Sequence, residues 1–258
     1  MQVPLPSMDP SLGDLTIILT RPTEQAASLQ KKLTRLGAQA ISFPCIEISP
    51  VTPGKSPAPL SEIDIIVFIS PNAVKYGLRE IPGLLDLPRS GKKFAAIGQG
   101  TAQALTANGI AEVTIPDERF DSEGLLETAL FQDLKSVSVM VIKGVGGRNY
   151  LQESLTQRGA RVCCVDVYQR TLPENADIEA LPATVDLILF SSSQAAENLL
   201  SLVPAQQLQK LLKCQTIVGH PKIGQKVASL GFKKLPIIAG SPMEDDFLQA
   251  IMGWASRR

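Results

Sequence analysis

Several short segments carry a distinctive set of small polar and cationic residues able to bind a charged group. They are Thr20-Arg21, Ser70-Pro71-Asn72, Gly98-Gln99-Gly100-Thr101, Lys143-Gly144 with Gly147-Arg148 close behind, Ser191-Ser192-Ser193 and Gly219-His220. They are poor in bulky side chains and rich in hydroxyls and free backbone N–H groups. Set at helix N-termini, such groups favour carboxylates or phosphates. Lys143, Gly144 and Arg148 place two cations on flexible backbone, a pattern that suits an anion and a plain turn equally. A helix cap needs only one of three serines, so having Ser192 and Ser193 beside Ser191 favours a ligand role. Tyr168 lies in an apolar, strand-like stretch, where its ring can face a cleft or be core with a satisfied hydroxyl.

Other chemistry is excluded. Gly98-x-Gly100 lacks the third glycine of a dinucleotide fingerprint, because Gln103 stands there, and the phosphate-loop pattern is absent. Cys45, Cys163, Cys164 and Cys214 form no C-x-x-C pair and His220 is the only histidine, so no metal or iron–sulfur ligand set can be drawn. The cysteines read as reduced core residues. No G-x-S-x-G elbow accompanies the single histidine. No cofactor is expected. An enzyme built this way acts by positioning a reactive substrate and stabilising charge. Lys plus Arg and Asp plus Glu both number 25, and aromatic residues make up 5%, which argues against a nucleic-acid partner. No apolar run approaches the ~18 residues of a membrane span, and the first residues do not read as a targeting segment. A cytoplasmic monomer is expected.

The elements that must position these residues alternate. Short apolar runs begin at Thr16, Ala40, Asp64, Lys93, Val113, Val137, Arg161, Asp186, Thr216 and Leu235, and most are followed by a stretch of helical period. Ser122 reads as a helix N-cap. This is an α/β pattern of doubly wound parallel sheets. Ligands in such sheets bind outside the carboxyl ends of the strands, where the polar segments fall. Two such edges brought face to face would make a cleft for a large polyanion.

With 258 residues, two domains are expected. An internal repeat supports them: Asp64 to Ala73 resembles Asp186 to Ala195, and Thr34 to Ala38 resembles Thr156 to Ala160, both at a shift of 122. The chain order makes the first domain discontinuous, residues 14–42 plus 172–258, with the second, 50–162, inserted into it. The connections, 43–49 and 163–171, read as strands able to pair into a two-stranded β-ribbon hinge. Residues 1–13 read as a loose tail.

Read together, these segments resemble the uroporphyrinogen-III synthase family. The carriers are Leu19-Thr20-Arg21-Pro22, Leu36 to Ala38 with Phe43 to Ile48, Phe68 to Val74, Ala96 to Ala102, Lys143-Gly144 with Gly147-Arg148, Val167 to Arg170 and Phe190 to Ser193. Each is loose, but their order covers nearly the whole chain from Leu15 to Met252. The resemblance implies two flavodoxin-like domains and a cofactor-free cyclisation of hydroxymethylbilane to uroporphyrinogen III, with loss of water and inversion of ring D. It implies Tyr168 as the catalytic residue assisting departure of the hydroxyl. Carboxylate binding would fall to Ser70, Asn72, Gly100, Thr101, Gly144, Ser192 and Ser193, with Arg21, Lys143 and Arg148 as cations. Transient contact with hydroxymethylbilane synthase is expected. One segment departs from the pattern: Gly219-His-Pro-Lys222 lacks the threonine that Thr101 supplies in the other half. The competing reading is a non-catalytic two-domain binding or regulatory protein for a polycarboxylate.

Overall fold

Four aliphatic or aromatic residues in a row bury a strand on both faces, and parallel strands form at such runs. The computed structural model describes residues 12–54, 58–147, 149–241 and 243–258. In chain order its elements are β1 (Thr16–Leu19), α1 (Thr23–Arg35), β2 (Gln39–Ser42), β3 (Glu47–Pro50), β4 (Ile65–Phe68), α2 (Pro71–Glu80), β5 (Lys93–Ala96), α3 (Gln99–Ala107), β6 (Val113–Thr114) and α4 (Ser122–Glu127). There follow β7 (Ser138–Gly144), α5 (Tyr150–Gln157), β8 (Arg161–Thr171), β9 (Leu187–Phe190), α6 (Ser193–Leu202), α7 (Ala205–Leu211), β10 (Gln215–Val218), α8 (Pro221–Ser229), β11 (Ile237–Ile238) and α9 (Glu244–Ala255).

The chain divides into two compact units. One comprises Met1–Glu47 with Thr171–Arg258, the other Ile48–Arg170. The first unit holds a five-stranded sheet in the order β11-β10-β9-β1-β2, all parallel. Counted within that unit, this is the flavodoxin order 2-1-3-4-5. The second holds a six-stranded sheet, β3-β8-β7-β4-β5-β6. Its β8-β7-β4-β5-β6 portion repeats the same spatial order with the chain cut elsewhere. Strand starts keep one shift of 122: Thr16 against Ser138, Gln39 against Arg161, Ile65 against Leu187 and Lys93 against Gln215. The repeat extends to a polar detail. Asp64 Oδ2 accepts the Ser138 N–H at 2.8 Å and Asp186 Oδ2 accepts the Thr16 N–H at 3.0 Å, each carboxylate tying together the starts of the two central strands.

In the second unit, alternate residues of β4 and β7 serve opposite faces. Ile66, Phe68, Met140 and Ile142 pack with Val74, Tyr76, Leu105 and Tyr168. Ile65, Val67, Val139 and Val141 pack with Leu125, Phe131, Leu151 and Leu155. In the first unit, Ile17, Leu19, Leu187 and Ile217 face Leu29 and Leu33 of α1 and Phe247 and Ile251 of α9.

The structure corrects several expectations. The stretch from Ala40 to Ile48, read as a strand interrupted by Pro44, is two strands, because Pro44 has no N–H to give a ladder. The residues on either side of it still donate to the first sheet, Phe43 N to Leu19 O at 2.9 Å and Cys45 N to Thr20 O at 3.0 Å. Asp121, not Ser122, caps α4, accepting the Gly124 N–H at 2.8 Å. The final strand, expected from Leu235 to Ala239, shrinks to β11. Helix α7 carries too few apolar residues for its period to be read. Residues 1–11 of the expected tail lie outside the described residues, but Leu12 is not loose: it is fully buried and donates to Leu36 O at 2.8 Å. The connecting strands β3 and β8 do lie side by side, and β8 runs on into the second sheet beside β7.

Candidate active site

The carboxyl ends of the strands feed directly into helix N-termini. Ser70 caps α2, its Oγ accepting the Ala73 N–H at 3.0 Å. Ser192 does the same for α6 with Ala195 at 3.1 Å. Gly98 occupies the cap of α3. At the equivalent place His220 caps α8, its Nδ1 accepting the Lys222 N–H at 3.1 Å. The departure seen in the sequence at His220–Lys222 is thus a helix cap made with a ring nitrogen. The shift between the two caps is again 122, one more than the glycines of the two segments suggest.

Tyr168 reaches this edge through an irregularity in β8. The register runs Ile142 with Val165 and Lys143 with Asp166, then jumps to Gly144 with Tyr168. One residue, Val167, is extra. Strict alternation would set Tyr168 on the same face as Cys164 and Asp166. The bulge re-aims it onto the face of Val165 and Ile142. There the ring is buried, 2% exposed. It lies against Gly144, where an added Cβ would come within 2.6 Å of Cζ and 2.7 Å of Cε2. Its other neighbour is Tyr76, stacked at 6.0 Å between centroids. Tyr76 is itself pinned, donating to Ile48 O at 3.0 Å. The Tyr168 hydroxyl lies 3.0 Å from Ser70 Oγ. Arg170, two residues on and therefore on the same face, sets its guanidinium carbon 5.6 Å from the ring centroid and donates through Nη2 to the hydroxyl at 3.4 Å.

The structure brings together Tyr168, Ser70 and Gly144, and adds Arg170, which sequence reasoning did not nominate. The available signal was the Tyr-x-Arg spacing on a strand. Asn72 follows Ser70 in the first turn of α2 and is half-buried. Gly100 is exposed and near Pro71, while Thr101 is buried in the first turn of α3. Lys143 is not part of this cluster. It points to the opposite face, where its Nζ is 3.1 Å from Asp166 Oδ1. There it helps line a cavity of about 50 Å³ with Ile69, Ile97, Gln152 and Cys164. Arg148 lies outside the described residues.

In the first unit Ser193 opens α6 directly after its cap. Thr20 is fully buried and donates to Leu189 O at 2.7 Å. Arg21 lies with its guanidinium carbon 5.0 Å from the Phe247 centroid. Burial pushes its pKa down from the ordinary arginine value, opposed by the charge of Glu244. Arg21 and Lys143 occupy equivalent places in the repeat, and each is held within its own unit.

Burial pushes every cysteine thiol up, Cys214 to about 11. Cys163 and Cys164 face opposite sides of β8, and all four thiols are free. No cluster of His, Cys, Asp or Glu suited to a metal ion occurs among the described residues. No helix among them is long and apolar enough to cross a membrane.

Comparison with known proteins shows what this chain resembles. The family model described as uroporphyrinogen-III synthase HemD matches residues 27–247. The chain is 28% identical over 253 residues to the uroporphyrinogen-III synthase of Escherichia coli, covering 92% of this chain and 100% of that one. It is 29% identical to the Synechococcus elongatus enzyme of the same name, covering 73% and 74%. Among solved structures, uroporphyrinogen-III synthetase from Helicobacter pylori superposes with a TM-score of 0.64 at 17% identity, covering 95% of this chain and 100% of that one. A mutant uroporphyrinogen III synthase from Thermus thermophilus gives 0.55 at 16%, covering 94% and 99%. At those identities the structural likeness speaks for the fold.

Proposed function

The chain belongs to the uroporphyrinogen-III synthase family, and from that membership we propose how its own residues do the work. The enzyme cyclises hydroxymethylbilane to uroporphyrinogen III in tetrapyrrole biosynthesis, acting as a cyclising lyase. Nothing in the relatives favours a non-catalytic clamp.

Tyr168 is the proton donor to the leaving hydroxyl. The carbon–oxygen bond of the terminal hydroxymethyl group breaks with its electron pair on oxygen. The phenol proton goes to that oxygen, and water departs. The adjacent pyrrole nitrogen feeds electrons into the vacated carbon, giving an azafulvene. The substituted carbon of ring D attacks it, the spiro intermediate fragments, and reclosure inverts ring D. The proton released on rearomatisation restores the phenol, so only water is lost overall. Without steering the bilane closes to the symmetric type I isomer. The enzyme's task is therefore positioning.

The observation that carries this reading is the placement of the Tyr168 hydroxyl beside the α2 cap, at the carboxyl edge where ligands of such sheets bind. We assign the substrate carboxylates to the turns of Asn72, Gly100 and Thr101 and to that of Ser192 and Ser193, largely through backbone N–H groups. Arg21 and Arg148 are the cationic contributors. A monomer in the cytoplasm, in transient contact with the synthase that supplies the unstable bilane, completes the proposal.

Isomer analysis tests it. Hydroxymethylbilane is generated in situ from porphobilinogen, the protein is added, and the oxidised porphyrins are separated by chromatography. Type III must predominate; type I alone, from folded protein, overturns the assignment. Tyr168→Phe is expected to fold normally and to lose about tenfold in kcat. That is below the ~10²–10⁴ of general acid catalysis at its fullest, because a pyrrole-methanol ionises readily. An unchanged kcat removes Tyr168 from the mechanism.

A further inference from the structure

We propose that Arg170 and Ser70 are positioning residues that make Tyr168 an outward proton donor. The inference rests on the assignment of Tyr168 as the donor. It follows from counting valences at the Tyr168 oxygen, which has one proton to give and two lone pairs to receive with. Arg170 can only donate, and its Nη2 lies 3.4 Å from the oxygen, so it occupies one lone pair. The Ser70 hydroxyl has one proton and two lone pairs, one of which accepts the Ala73 N–H at 3.0 Å, so across its contact with Tyr168 either oxygen can donate. When Ser70 gives its proton to Tyr168 across their 3.0 Å contact, both lone pairs of the phenol oxygen are filled. The one valence left at that oxygen, among the described residues, is the tyrosine O–H itself.

The chain of donors then runs from the backbone N–H of Ala73 through Ser70 Oγ to Tyr168 Oη, with Arg170 as the second donor. Its free end is the phenolic proton. On transfer of that proton to the leaving hydroxyl, the phenolate keeps two donors already in place, one of them charged. No reorganisation is needed as charge develops. The 3.4 Å contact is long, as catalytic hydrogen bonds in unliganded enzymes often are. The bulge in β8 serves this arrangement directly, since it brings Tyr168 and Arg170 together onto the Ser70 face. The helix cap supplies the rest. Ser70 is held by α2 and cannot swing away without uncapping that helix.

The test is a double-mutant cycle with steady-state kinetics on the full chain, bilane being generated in situ. Arg170→Met keeps the length of the side chain and removes the donors. It is expected to lower kcat roughly three- to tenfold with KM within about twofold. Arg170→Lys, which restores a charged donor, is expected to recover at least half of the loss. In a Tyr168→Phe background Arg170→Met is expected to have less than a twofold further effect, because no phenol remains to position. Ser70→Thr, which keeps cap and hydroxyl, is expected within threefold of wild type, and Ser70→Ala near Tyr168→Phe. A rise in KM with unchanged kcat makes Arg170 a substrate ligand and overturns the proposal. So does an equal loss in both backgrounds. Those results leave Tyr168 as the donor intact, provided Tyr168→Phe is itself slow. If Tyr168→Phe turns over like wild type, the donor assignment and the present inference fall together.

Discussion

Gly144→Ala tests whether the Tyr168 ring is held as tightly as the structure shows. The added methyl would lie 2.6 Å from Cζ, 2.7 Å from Cε2 and 3.0 Å from Cε1. Carbon atoms in good contact sit ~3.5–4.0 Å apart, so the ring must retreat by roughly 1 Å. Behind it stands Tyr76, whose hydroxyl is tied to Ile48 O. Overpacking of this kind costs about 1–3 kcal/mol, a fall in Tm of roughly 2–4 °C per kcal/mol at this chain length. The chemical effect is expected to be larger. A shift of ~1 Å stretches the 3.0 Å contact with Ser70, and misplacement on that scale costs up to ~10²-fold in rate. Turnover and the type III to type I ratio are read in the coupled assay, and Tm by circular dichroism. Tyr168→Phe does not relieve the strain, because the clashing atoms belong to the ring both residues share. Tyr168→Ala in the Gly144→Ala background is expected to restore Tm but not rate. Wild-type Tm and wild-type rate in Gly144→Ala would refute the reasoning, because the ring would then have room the structure denies it.

Lys143→Met is expected to leave KM within twofold and lower stability by about 1 kcal/mol, since its ammonium is held by half-exposed Asp166; a tenfold rise in KM would return Lys143 to the substrate site. Cys214, its thiol at about 11, is expected to alkylate with iodoacetamide at pH 8 roughly a hundredfold more slowly than an unperturbed thiol, and at the ordinary rate once unfolded. The Asp121 carboxyl is held below its ordinary value first by the Gly124 N–H and then by Arg119. Its capping contribution is therefore complete above the unfolded value and lost as pH falls through the lower folded one. Wild type is expected to exceed Asp121→Asn in stability at pH 6 and to converge with it as the carboxyl protonates below about pH 4, read by thermal melts. A constant gap across that range would refute the sign.

Much of the fold is legible from residue types alone. The runs Ile65–Phe68 and Leu187–Phe190 are apolar at every position, short, and followed by serine turns, which suits a strand buried on both faces. The 122-residue shift then exposes the interrupted first unit without further information. The site is legible less evenly. Ser70 and Ser192 announce themselves as caps, but the register slip at Lys143–Gly144 leaves no mark in the sequence. Without it, alternation assigns Tyr168 to the wrong face; Lys143 is nominated by its Lys-Gly segment, whereas alternation along β7 sets it with Val139 and Val141, away from Tyr168. Arg170 is hidden for the same reason, because its partner is defined by which way a bulged strand turns. Asp121 and Ser122 are both good cap residues, and only backbone geometry separates them. Pairings such as Lys143 with Asp166 depend on strand register, which residue types do not specify.

The interrupted first unit also bears on the protein's birth at the ribosome. Its central strand β1 lies between β2, made moments later, and β9, which emerges only after the whole second sheet has been synthesised. The second unit is continuous, so it can complete its sheet while the chain is still attached. Until Leu187–Phe190 leaves the exit tunnel, β1 keeps the backbone N–H and C=O groups of one edge unpaired. Such an edge is a template for pairing with another nascent chain. The early part of this polypeptide therefore depends on the speed of translation through its own middle, and a pause between β8 and β9 lengthens the interval in which a holdase must shield it.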